Sequence, residues 1–128
     1  MLNTEQVSAN EEQLRSRVQH LSAEQKKYFY AAFEKKIKDP DTYAVLNYLL
    51  LAGLHHFYLG KWLRGFFNLA VFSLGVLLLL MSSSMIGTIL VIIIVVLELP
   101  ALFQAQTVVA DHNNQTMASL LNELEHKR

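Results

Sequence analysis

The sequence predicts an all-α integral membrane protein: two full membrane helices in a hairpin plus a preceding membrane-embedded helix, with flanking amphipathic helices. Three observations predict it. Of 128 residues, 52 % are hydrophobic and only 17 % charged, a balance shifted from soluble domains toward the membrane class. Charge is also unevenly spread: between Tyr43 and Phe103 only Lys61, Arg64 and Glu98 are charged, and the flanks carry nineteen of the twenty-two. Finally, that middle region divides into three apolar segments, 43–59, 65–81 and 85–103, of 17, 17 and 19 residues. A bilayer core takes roughly 20 apolar residues, with a range of about 17–25.

Residues 1–42 read as N-terminal cytoplasmic or interfacial helices. Ser8 or Asn10 is expected to cap the first, which runs to about Leu21 with Leu14, Val18 and Leu21 as a short apolar stripe. Ser22-Ala23-Glu24-Gln25 has capping-box spacing and opens a second helix to about Lys38. On that helix Phe29, Tyr30, Phe33 and Ile37 share one face, and residues 22–38 carry five lysines against two glutamates. An aromatic face beside a basic one is the pattern of a helix lying on an anionic membrane surface. Packing of the same aromatics on a partner is the alternative. Asp39-Pro40 ends the helix, because the residue before proline avoids helical geometry, and Asp41 or Thr42 can cap the next.

In the membrane domain, 43–103, segments two and three qualify as spans joined by the turn Ser82-Ser83-Ser84. Segment one is interrupted by Asn47, His55 and His56, so two or three crossings are both open. Five lysines precede it, which places the N-terminus in the cytoplasm. If segment one does not cross, Lys61 and Arg64 stay inside with Lys127 and Arg128. Residues 104–128 form a C-terminal amphipathic helix, with Met117, Leu120, Leu121 and Leu124 at i, i+3, i+4 and i+7. Its partner is either the N-terminal region or another subunit. No secretory signal is evident in the first 42 residues.

Between segments one and two lies Gly53-Leu54-His55-His56-Phe57-Tyr58-Leu59-Gly60-Lys61-Trp62-Leu63-Arg64-Gly65. Its Gly53-x-His55-x-Phe57-Tyr58-Leu59-Gly60 core, followed by Gly65, resembles the signature of the two-transmembrane-helix ("TM-two") domain family. The resemblance covers about residues 42–103. It implies a small integral membrane domain, found widely in bacteria and in eukaryotic relatives, with an acidic residue in the last apolar helix, for which Glu98 is the candidate. His56 stands where the family usually has arginine or lysine, and Leu63 where glycine is common. The Asp-Arg-Phe variant of the motif is not present here.

The residues themselves add roles. Gly53, Gly60 and Gly65 suit a turn needing positive φ or close helix approach. Phe57, Tyr58 and Trp62, with Lys61 and Arg64, resemble an interfacial belt, and Lys61, Trp62 and Arg64 are placed to meet lipid headgroups. Glu98, an ionisable group at membrane depth, needs a partner, expected among Arg64, His55 and Tyr58. Pro100 nearby can kink the helix. His55 and His56 are adjacent, so on a straight helix they point about 100° apart and suit no chelate; His20, His112 and His126 are distant in sequence. Hence no metal ligand is expected.

No nucleophile–base pair or phosphate loop appears, cysteine is absent, and net charge is zero, which argues against an enzyme and against nucleic-acid binding. The function read from sequence is a self-associating structural or scaffolding membrane module without catalytic activity or cofactor. Its expected partners are the lipid bilayer, anionic headgroups and further copies of itself in a homo-oligomer. No small-molecule substrate is identified, and the expected location is a bacterial inner membrane. The alternative is an oligomeric pore or lipid-binding assembly.

Overall fold

A computed structural model describes residues 2–49, 53–81 and 84–126, and these are helical almost throughout. Among the described residues seven helices follow in order: α1 (Thr4–Gln19), α2 (Ala23–Glu34), α3 (Pro40–Leu49), α4 (Leu54–Tyr58), α5 (Trp62–Leu80), α6 (Ser84–Phe103) and α7 (Ala105–His126). The chain divides into two compact units, one of Met1–Asp39 with Gln106–Arg128 and one of Pro40–Ala105.

The first unit is a small helical cluster built from both ends of the chain. Its core is Leu14 and Val18 of α1, Phe29 of α2, and Met117, Leu120, Leu121 and Leu124 of α7. The stripe on the last helix therefore finds its partner in the N-terminal region of the same chain. Fully burying each such side chain contributes about 1.5–3 kcal/mol. The aromatic face of α2 is used the same way: Phe29 is buried and Phe33 packs against the cluster, while Tyr30 and Ile37 stay exposed. Phe29 and Phe33 thus face protein within this unit.

Polar contacts fix the ends of these helices. The cap of α1 is Asn3, whose side chain accepts from the amides of Glu5 and Gln6, so the helix starts well before Ser8 and Asn10. Ser22 and Gln25 close the capping box with both bonds present. α2 stops at Glu34 rather than near Lys38. Beyond it the Lys38 backbone is taken up by Asn113, whose amide oxygen accepts from Lys38 N and whose amide nitrogen donates to Lys38 O, both at 2.9 Å. Asn114, buried in the same unit, donates to Val7 O at 2.9 Å.

The second unit holds the two longest apolar helices. Trp62–Leu80 and Met85–Phe103 are each 19 residues and long and apolar enough to cross a membrane. Only 11 % and 17 % of their windows are buried within the protein, the reverse of a soluble core helix. They pack antiparallel on each other: Asn68 meets Glu98 near one end, and Gly75 meets Gly87 and Val91 further along. A Cβ on Gly87 would stand 2.6 Å from Leu79 N and 2.7 Å from Gly75 O, backbone atoms that cannot swing aside. Small residues thus set the separation of the hairpin, as in membrane helix pairs. Outside that seam Leu74, Leu77, Ile89, Ile92, Ile93 and Val96 are exposed.

Segment one is not a single helix. It is split between α3 and α4 with Gly53 at φ 88° between them, and residues 50–52 lie outside the described residues. α3 has ten residues and spans about 15 Å, half of a typical hydrocarbon core. Pro40 takes its first position, where a missing N–H goes unnoticed, so neither Asp41 nor Thr42 is the cap. α5 also starts earlier than segment two, at Trp62. Of the serine turn, residues 82 and 83 lie outside the described residues, as do Lys127 and Arg128.

Candidate functional site: a buried His–His–Glu cluster

Four helices of the second unit deliver polar side chains to one point. α6 contributes Glu98, α4 His55 and His56, α5 Asn68 and α3 Asn47. The backbone explains the convergence. Gly53 adopts a left-handed conformation that only glycine takes without cost, and a Cβ there would come 2.8 Å from Asn68 Cβ. α4 is therefore turned and pressed against α5. Gly60, at φ 71°, reverses the chain again before α5. Gly65 is crowded instead: a Cβ would lie 2.7 Å from the Phe57 ring, which also packs edge-on against Trp62 and Phe66.

His55 has no exposed surface, and its Nε2 lies 2.8 Å from Glu98 Oε2. The approach is close but outside hydrogen-bond alignment; among the described residues neither ring nitrogen of His55 has a hydrogen-bond partner. His56 Nε2 lies 3.4 Å from Glu98 Oε1, and Asn68 Nδ2 donates to that same oxygen. Asn47 Nδ2 reaches the Glu98 backbone carbonyl at 3.5 Å, leaving its own buried Oδ1 without a partner among the described residues. Tyr43, also buried, sets its ring edge-on to His55 with centroids 5.1 Å apart.

This arrangement answers the expectation for Glu98 in part. His55 is its partner, joined by His56 and Asn68, whereas Arg64 is exposed at the start of α5. The geometric argument against the adjacent histidines fails. On a straight helix they diverge, but on a five-residue helix opened by Gly53 their ring centroids lie 4.1 Å apart and both face one carboxylate. Tyr43, Asn47 and Asn68 were not expected here. The signal that points to the two asparagines is simple: an amide inside an apolar segment needs a partner, and each of the three segments carries at least one buried polar group.

Lys61, Trp62 and Arg64 lie elsewhere, exposed and lining a shallow concave surface with Gly60 and Leu63. Leu59 is buried, and Tyr58 and Phe57 are partly buried. No protein family matches the chain, and no curated protein or solved structure matches it either.

Proposed function

We propose that this chain is a small integral membrane module of the TM-two type with a structural role, self-associating within the bilayer and carrying no catalytic activity. One observation carries the reading. The helical cluster is assembled from both termini, and between them lies a hairpin whose long apolar faces are left open. A cluster made of both ends forms only if both ends lie on one side, so the number of crossings is even. α5 and α6 are then the two crossings, and α3 and α4 enter no further than one leaflet. With five lysines before Pro40, that side is the cytoplasm. The open faces of α5 and α6 are apolar and favour lipid or a second copy over a conducting path.

The concave surface of Lys61, Trp62 and Arg64 favours one additional role, contact with anionic headgroups at the cytoplasmic interface. The absence of cysteine makes the topology test clean. Single cysteines replacing Lys38, Trp62, Ser83 and Gln115 should label from one side at 38, 62 and 115, and from the other at 83. Labelling of 38 and 115 from opposite sides would sink the reading. Crosslinking in mild detergent should show species larger than the monomer; a strict monomer at high protein density removes self-association.

A further inference from the structure

We propose that His55, His56 and Glu98 bind one divalent transition-metal ion, of the zinc class, at the corner where α4 meets α5 and α6. The proposal does not depend on the scaffolding role.

The first argument is geometric. One ligand atom from each of the three residues lies within 4.8 Å of the others. Around a tetrahedral zinc with bonds of about 2.0–2.2 Å, ligand atoms stand about 3.4 Å apart. The His55–Glu98 and His56–Glu98 separations of 2.8 and 3.4 Å are on that scale. Two imidazoles and one carboxylate are also a set that zinc and ferrous iron take with positions left open for water.

The second argument is polar accounting. Buried polar groups are normally satisfied, and an orphan costs about 1–3 kcal/mol. Here three buried atoms have no hydrogen-bond partner among the described residues, Asn47 Oδ1 and both ring nitrogens of His55. Glu98 brings two carboxylate oxygens, each neutral imidazole brings one lone pair and one N–H, and Asn47 Oδ1 is an orphan acceptor in the same cluster. Against these, Asn68 Nδ2 donates to one carboxylate oxygen. His55 is the sharpest case, since Nε2 is aimed at a carboxylate oxygen 2.8 Å away without the alignment of a hydrogen bond. A cation held by the Glu98 carboxylate and one lone pair of each imidazole would give His55 Nε2 the partner it lacks.

The surroundings suit a bound ion. Asn68 holds Glu98 from the side, as the outer partners of metal ligands usually do. Tyr43 packs edge-on against His55 and restrains its ring. The side chains of His56 and Glu98 are 12 % and 8 % exposed while His55 has no exposure, so the cluster is nearly closed but reachable beside His56 and Glu98. An ion there would tie α4 to α6, two helices that the sequence separates by forty residues.

The test uses the full-length protein in mild detergent, carrying no polyhistidine tag and stripped with a chelator. Titration with Co²⁺ should saturate at one ion per chain and give the visible bands of a low-coordinate site with nitrogen ligands. Zn²⁺ should bleach those bands and raise the melting temperature. His56→Ala, chosen because His56 is the least buried member, should weaken Zn²⁺ at least about tenfold, the lower limit for losing even an outer partner. Asn68→Ala should weaken it by about 10–100-fold while retaining the bands. His20→Gln, His112→Gln and His126→Gln should change nothing. The proposal is overturned if the folded wild-type chain, with intact helical circular dichroism, takes up neither ion. It is equally overturned if uptake survives His56→Ala unchanged or is lost with the three distant histidines.

Discussion

The two units of this chain are both helical, yet they treat apolar side chains in opposite ways. In the terminal cluster Leu121, Leu120 and Phe29 are buried almost completely, and the exposed positions are largely polar. In the α5–α6 hairpin, leucines and isoleucines point outward, and the buried positions include Gly65, Gly75, Gly87, Asn68 and Glu98. The cluster obeys the logic of water, where apolar area is hidden. The burial pattern in the hairpin is the one helices show in lipid, where small residues let backbones approach and polar groups seek one another.

The contrast can be broken in three places. Leu121→Ala should have the largest effect, removing a side chain with no exposed surface from the terminal core at a cost of about 2–5 kcal/mol. Denaturant unfolding followed at the helices would register it; a loss below the lower bound would mean the cluster is not a tight core. Ile93→Arg comes next. Position 93 is nearly half exposed and sits mid-helix, so a soluble surface would accept arginine almost without cost. In a bilayer the same change should oppose insertion by about 2.5–3.5 kcal/mol, read as a drop in membrane-integrated chain. Unchanged integration would remove the lipid logic. Gly87→Ala should be the smallest, about 1–3 kcal/mol, since its Cβ collides with backbone across the hairpin. Full stability in this variant would show the seam to be looser than described.

Much of this architecture is legible in the residues. The helical class and the two long helices follow from where charge is missing, and the capping box of Ser22 and Gln25 follows from spacing alone. Apolar stripes on α1, α2 and α7 identify core-facing sides, but periodicity is a property of one helix and does not name the partner. That is why the α2 aromatics fitted a membrane surface equally well on paper. The site was half legible for a similar reason. Glu98 announces its need for a partner, and His55 is one of the residues available to meet it. The contribution of His56 depends on the positive φ of Gly53, which rotates a short helix in a way that uniform 100° steps do not anticipate. Arg64, the obvious cation for a buried carboxylate, begins α5 facing outward, leaving the imidazoles inside.

The pairing of Leu14 and Val18 with Leu120 and Leu121 has a consequence for biosynthesis. A ribosome makes α1 and α2 first and α7 last, so the contacts that complete this core span about a hundred residues of chain. Contacts so far apart form late and slowly. Until α7 is made, Phe29 and the α1 stripe lack the cover of Met117, Leu120, Leu121 and Leu124. The terminal cluster is therefore completed only by the last helix to be made, after the whole of the α5–α6 hairpin has been synthesised.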